Sequence, residues 1–393
     1  MNSITKWSKA IRSLLLSIKY HRWNNRLAQK KDILDRPGLL ELHKNNIHYF
    51  GKDEVIEFNK ESFQFINRSE STQCEFFSRI LTENALTIPK PFYVRLSNSH
   101  LVGHYAVVVQ DGKILLESTY NTLFYLRKTG DAKYLMNLRL AKKNDHHFKK
   151  AISLVNILDS SYFFWLTNFL PQLEPHLPEL LKDTNFKIIV AKKPKRFQIE
   201  TLHHLGLEKN LFQWDKTHAH VEHLIVPSVL NAHIPYDQYQ LIQLLSPRMI
   251  HWLRSAFIVN KKEPLKNIYI SRAQSYGRQL INEDKLLPYL KSADFERVFL
   301  EDLSFSEQVR LFASANNVIA THGAGLINLI FSSNANIIEF FPAKWTLNRS
   351  NIFQLSNHLD HRYKFILLDP VNKQLDMKIA IEDMKDIIKK HVR

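Results

Sequence analysis

Short apolar runs at 186–190, 221–226, 267–271, 297–300, 317–320, 336–340 and 363–367 alternate with stretches whose apolar positions recur at helical spacing, notably 165–181 and 196–205. The first kind predicts buried strands and the second amphipathic helices. Strands alternating with helices imply parallel sheets covered on both faces. The part of the chain before about residue 150 has a different rhythm, in which strand candidates alternate with polar loops. Its clearest signal is 105–110, then Asp111-Gly112, then 113–117, a hairpin pattern. Pro227 and the stretch 230–235 read as a connection between domains. The pattern as a whole predicts two Rossmann-like domains over 32–235 and 236–375. Residues 376–393 form a last amphipathic helix that is a candidate to cross back to the first domain.

Residues 1–31 stand apart. Ile4, Trp7, Ile11, Leu14, Leu15 and Ile18 recur at helical spacing, with Lys6, Lys9, Arg12, Lys19, Arg22 and Arg26 largely elsewhere. A basic amphipathic helix carrying Trp7 and Trp23 near its ends suits an anionic membrane surface; a helix packed on the domain with a solvated basic face is the alternative. Arg12 interrupts the apolar segment, which makes it a poor secretory signal. No apolar run approaches the roughly eighteen residues that span a bilayer.

Composition narrows the partners. The chain has 393 residues, enough for two cores, with 45% apolar residues as in ordinary globular proteins. Fifty-four Lys and Arg against 38 Asp and Glu give a formal net charge of +16, which favours anionic ligands. The single cysteine, Cys74, excludes an intrachain disulfide and a cysteine-based zinc site and points to a reducing compartment.

The candidate chemistry gathers in the second half. The stretch Val318-Ile319-Ala320-Thr321-His322-Gly323-Ala324-Gly325-Leu326 reads as a buried strand, a glycine turn and the opening of an amphipathic helix, holding two of only nine glycines. That layout presents backbone N–H groups to a phosphate. In a doubly wound sheet, ligands bind beyond the carboxyl ends of the strands. Such ends here would deliver Ser271, Arg272, Arg278, Asn282 and Glu283, then His322 and the glycine turn, then Glu339. Two arginines, a histidine and a helix N-terminus make a pyrophosphate site, with Glu339 placed to accept ribose hydroxyls.

These motifs, together with 303–308 (LSFSEQ), 321–331 (THGAGLINLIF) and 337–342 (IIEFFP), resemble glycosyltransferase family 61 from about residue 160 to 342. The resemblance implies a GT-B fold, an α/β architecture of two Rossmann-like domains facing across a cleft. It also implies a nucleotide-sugar donor and inversion at the anomeric carbon, and it extends the donor-binding set to Ala324, Leu326 and Asn328. The family's aromatic-rich helix start is matched by Tyr162-Phe163-Phe164-Trp165. Many relatives carry a His before this Trp and an acidic residue three positions after it, where this chain has Phe164 and Asn168. Asn cannot act as a general base, which leaves Asp159, Glu174 and His176 as base candidates from the N-terminal domain.

No Asp-x-Asp, Walker A or Gly-x-Gly-x-x-Gly pattern occurs. His146-His147 and His203-His204 lack metal-ligand spacing on one face and read as surface residues. The expectation is therefore a metal-independent inverting glycosyltransferase without a cofactor. It would use a nucleotide-sugar donor and a glycan or lipid-linked acceptor in bacterial surface polysaccharide synthesis, and would be cytoplasmic, at the inner membrane if the N-terminal helix anchors it. Two alternatives remain at this point: a basic nucleic-acid-binding protein, favoured by charge alone, and a membrane-surface scaffold with a degenerate transferase fold. Nucleic acid is not an expected partner, because no basic face interleaved with aromatics is evident.

Overall fold

The computed structural model describes residues 33–58, 63–65, 85–119, 146–215, 218–229, 233–237, 240–258, 265–343 and 350–392. The proposed N-terminal helix at 1–31 lies outside them. The chain divides into two compact units, each assembled from separated stretches. One comprises Met1–Phe50, Pro91–Ser160 and Gln172–Val229; the other comprises Gly51–Lys90, Ser161–Pro171 and Leu230–Arg393.

The first unit is built on a nine-stranded sheet. His146–Ser153, Phe186–Ala191 and Leu211–Trp214 run parallel, and His218–Pro227 joins them in parallel along His146–Ser153. The long strand Phe92–Val102 then pairs antiparallel with His218–Pro227 and with Val107–Gln110. The sheet is therefore mixed, where the pattern predicted a parallel one. The reason lies in Phe92–Val102, whose pairing is antiparallel on each of its neighbours and whose burial alternates for part of its length. The expected hairpin is present, with Val109 opposite Ile114 and with Asp111 and Gly112 both at positive φ (50° and 75°), as a two-residue turn requires.

The second unit carries a six-stranded, wholly parallel sheet: β1 (Phe63–Phe65), β2 (Lys266–Ile270), β3 (Phe295–Val298), β4 (Ala315–Thr321), β5 (Asn336–Pro342) and β6 (Arg362–Leu368). Their spatial order is β3-β2-β4-β5-β6-β1. Every residue of β5 is buried, and six of the seven in β4, as expected of parallel strands covered on both faces. The helices are α1 (Pro247–Phe257), α2 (Glu283–Ser292), α3 (Phe305–Ala313), α4 (Asn351–His358) and α5 (Ile381–His391). Each start is legible in local chemistry. Ser246 caps α1 ahead of Pro247, and its Oγ accepts from the Met249 N–H. Ser304 and Glu307 form a reciprocal capping box on α3. Glu54 accepts from the Arg248 N–H at 2.6 Å, which ties the 51–58 stretch to the start of α1.

The C-terminal helix α5 stays with this unit. Met384 and Ile387 are buried against Leu286 and Leu290 of α2 in the core that backs the sheet. The helix expected at 165–181 is replaced by a chain of short turns: Tyr162–Phe164 (α), Trp165–Phe169 (π), Leu170–His176 (3-10) and Leu177–Lys182 (α). Pro171, Pro175 and Pro178 each lack an N–H, so a continuous i to i−4 ladder cannot form across them. Among the described residues no helix is long and apolar enough to cross a membrane.

Candidate functional site

Strand order reverses between β2 and β4, because the chain leaves β2 for β3 on one side and returns to β4 on the other. The carboxyl ends of those two strands flank the crevice where doubly wound sheets bind ligands. There the structure brings Arg272, Arg278, His322 and Gly323 together. The Arg278 guanidinium donates from Nη1 to the His322 carbonyl at 3.0 Å. Arg272 lies across Gly323, so that a Cβ built on that glycine would stand 2.5 Å from Nη1. The φ of Gly323 is −169°, extended backbone open to any residue, so the glycine is there for close approach and not for its dihedral. Burial draws the Arg272 guanidinium below its ordinary value, against the opposing pull of the Glu301 and Asp376 carboxylates.

The loop that carries both arginines is strained and pinned. Gly277 (φ 72°) and Arg278 (φ 57°) are both left-handed, and a side chain at Gly277 would meet the Gln374 carbonyl at 2.6 Å. For Arg278 that conformation costs about 1 kcal/mol or more. The Arg278 N–H donates to Gln374 O at 3.1 Å, and Arg272 donates from Nε and Nη2 to Gly277 O at 3.3 Å.

His322 is set by a buried carboxylate. Its Nδ1 bonds Glu339, its backbone N–H donates to Phe340 O at 2.8 Å, and its ring lies 4.6 Å from that of Phe341. Glu339 is 1% exposed and its second oxygen accepts from the Tyr363 hydroxyl. Burial pushes the Tyr363 phenol well above its ordinary value, and the Glu339 charge and hydrogen bond add to this, so Tyr363 remains a donor. A carboxylate can only accept, so the Nδ1 facing it carries the proton, and Nε2 is the nitrogen on the opposite edge of the ring. Glu339, expected on a ribose, instead orients His322. Tyr363, which the sequence did not single out, orients Glu339.

The turn after His322 continues into a 3-10 helix, Ala324–Phe331, with Gly323 at its N-cap. Leu326 to Phe331 are all buried, so this helix is enclosed on every side past its first turn where an amphipathic one was expected; it packs against α1, α3 and α4. Arg254 of α1 donates to the Ser332 carbonyl at 2.6 Å and to that of Ile330, closing its C-terminal end. Asn328 holds the middle: Nδ2 donates to Gln308 at 2.7 Å and Oδ1 accepts from the Tyr162 hydroxyl at 2.5 Å. Asn328 thus ties the aromatic segment to the 3-10 helix, a framework position. At the other end the Leu326 N–H bonds Gly323 O at 3.1 Å, which leaves the amides of Ala324 and Gly325 at the mouth, with Ala324 exposed.

The remaining donor-side candidates serve the framework. Ser271 donates to Glu283 at 2.7 Å, and Glu283, 4% exposed, also pairs with Arg297. Asn282 spends its amide on Ile379, donating to the carbonyl at 2.7 Å. Gly325 faces Leu300, whose Cδ1 would lie 2.5 Å from an added Cβ.

The base candidates Asp159, Glu174 and His176 all fall in the first unit. Asp159 is buried, accepts the Asn156 N–H at 3.0 Å, and has its own carbonyl fixed by Gln198 at 3.0 Å. Burial pushes its carboxyl up to about 6, partly offset by the backbone N–H groups of Asn156 and Ser160. His176 packs edge-on to Tyr93 at 4.5 Å, and burial lowers it to about 4, a weak base. Glu174 is half-buried on the 3-10 turn. Asn168, in the π turn of the second unit, is 1% exposed and donates to Thr167 Oγ1 at 2.9 Å. Away from the site, His147, His203 and His204 are exposed, while His146 is half-buried against Phe148 and Phe212.

Comparison with known proteins bears on this half of the molecule. The glycosyltransferase 61 family profile matches residues 162–338, which run from Tyr162 through β2, β3 and β4 into β5. The chain is also 35% identical over 108 residues to the EGF domain-specific O-linked N-acetylglucosamine transferase of Drosophila melanogaster, covering 26% of this chain. It spans only 20% of that relative's length. The segment 162–338, which carries Arg272 and His322-Gly323-Ala324-Gly325, is thus similar to glycosyltransferase family 61.

Proposed function

We propose that the protein is a metal-independent, inverting glycosyltransferase of GT-B type, with the parallel-sheet unit taking the nucleotide-sugar donor and the mixed-sheet unit the acceptor. The observation that carries this reading is the convergence of Arg272, Arg278, His322 and the open amides of Ala324 and Gly325 at the strand-order switch point. Charge leaving with a nucleotide diphosphate has to be met by fixed groups, and here two guanidinium groups, an oriented imidazole and a helix N-terminus are available. Asp159 is the base we assign to the acceptor hydroxyl, because a carboxyl at about 6 is half-way to the working pH while remaining able to accept a proton. The acceptor we assign is a glycan or lipid-linked glycan of a bacterial surface polysaccharide. A Lys-rich chain with one cysteine and a basic amphipathic start supports work at a cytoplasmic anionic membrane.

Calorimetry with UDP and GDP on the wild type, Arg272→Ala and Arg278→Ala tests the donor site. Each variant should lose roughly 1.5–3 kcal/mol of nucleotide affinity, the worth of a hydrogen bond to a charged group. Unchanged affinity in both folded variants would overturn the assignment. Turnover that collapses in EDTA and returns with Mn²⁺ would overturn metal independence.

A further inference from the structure

Tyr276 sits at the apex of the loop between the two arginines and has 85% of its surface exposed, more than any other large hydrophobic side chain described. The loop beneath it is held on both sides. The Ser275 N–H donates to Arg272 O at 2.9 Å, the Gln274 amide to Asp302 at 3.2 Å, the Ser275 hydroxyl to Glu301, and the Gln279 amide to Ser275 O at 2.6 Å. On the far side Gly277 O accepts from Arg272, whose guanidinium lies over Gly323. The ring is therefore presented on a fixed backbone, one residue from a carbonyl that touches the phosphate-binding arginine. An aromatic ring left in water on an ordered loop contributes nothing to the core. Flat rings stack favourably on other rings, in offset or edge-to-face arrangements.

We propose that Tyr276 is the stacking platform for the nucleobase of the donor, an inference that rests on the diphosphate site assigned to Arg272, Arg278 and His322. A diphosphate anchored there carries a nucleoside at one end and a sugar at the other. A sugar is recognised through its hydroxyl groups, and the polar side chains flanking Tyr276 are committed within the loop: Gln274 and Ser275 to the 301–302 turn, Gln279 to backbone carbonyls. What the apex offers a ligand is an aromatic face, which matches a base. Stacking of this kind accepts any base, so Tyr276 adds affinity for the nucleoside with little choice among bases.

Calorimetry with UDP, GDP and inorganic pyrophosphate on the wild type, Tyr276→Ala and Tyr276→Phe tests it. Tyr276→Ala is expected to weaken nucleoside diphosphate binding on the order of tenfold and to leave pyrophosphate binding unchanged, and Tyr276→Phe to restore wild-type affinity. An equal loss for pyrophosphate would make Tyr276 a loop-stability residue, and an unchanged affinity for UDP and GDP would leave it without a ligand; either overturns the proposal while the diphosphate site stands. If the wild type binds none of the three, or Arg272→Ala binds all three as tightly, the donor-site reading itself falls and Tyr276 with it.

Discussion

Gly323 and Gly325 are separated by one residue and answer to different neighbours, so they should fail differently. A methyl group at 323 displaces the Arg272 guanidinium, and one at 325 presses on the tip of Leu300, a packing contact beside the 3-10 helix. Gly323→Ala is expected to reduce nucleotide affinity about tenfold with little change in Tm. Gly325→Ala is expected to cost about 1–2 kcal/mol of stability with affinity retained. Parallel calorimetry and thermal melts separate them, and the reverse pattern would exchange the two roles. Asp159 makes a second prediction. Its carboxyl stands at about 6 against an ordinary 3.8, so the folded state favours the protonated form, and that advantage is complete below 3.8 and lost as pH rises through about 6. Asp159→Asn should therefore be more stable than the wild type above pH 6 by about 2 kcal/mol, with the difference fading toward pH 4. As the assigned base it should also lose most of its turnover, and a variant that keeps its activity would remove Asp159 from the mechanism.

At the scale of elements, the 3-10 helix Ala324–Phe331 works as a plug fastened at its middle and its C-terminal end. The hydroxyl of Tyr162 is one of the fastenings, donating to an Asn328 carbonyl that is fully buried. Tyr162→Phe is expected to destabilise the protein by about 1–3 kcal/mol, because that buried acceptor loses its donor. Denaturant midpoints would register the change, and an unaltered midpoint would mean the bond is dispensable. This part of the molecule was largely legible in the sequence. The strands around residues 268, 318 and 338 lie where period and apolarity put them, because a buried parallel strand and a glycine turn each leave a local signature. The partners within the site were not legible. Glu339 is an acidic residue at a strand end in the sequence, and only the lateral pairing of β5 with β6 brings Tyr363 to its second oxygen. Ser271 and Asn282 likewise look like ligand groups until their bonds to Glu283 and Ile379 are seen. The mixed sheet of the first unit was missed for a related reason: strand direction depends on the neighbour and leaves no mark in the strand's own period.

For the molecule as a whole, the net charge of +16 and the basic start at 1–31 predict salt-sensitive association with anionic surfaces. Full-length protein should sediment with phosphatidylglycerol vesicles at low ionic strength, release at about 0.5 M salt, where the Debye length is only a few ångström, and ignore neutral vesicles. Equal binding to neutral vesicles would exclude an electrostatic cause. The two units also differ from successive domains, since the chain enters the parallel-sheet unit at 51–90 and again at 161–171 before it stays there.

That threading bears on how the protein can come to be folded. β1 at 63–65 completes a sheet whose adjoining strand is β6 at 362–368, and the Asn357 side chain reaches the Glu57 carbonyl across 300 residues of chain. During synthesis β1 has no strand to pair with in this sheet until nearly the whole polypeptide has left the ribosome, and contacts so distant in sequence slow folding. A fragment beginning at 236 would contain every donor-side residue described above, yet it would lack the 63–65 edge strand and the Tyr162 fastening. The exposed flank of β6 would then invite pairing with other chains. Such a fragment should aggregate where the intact chain does not, so the unit that looks separable on paper can be made only as part of the whole.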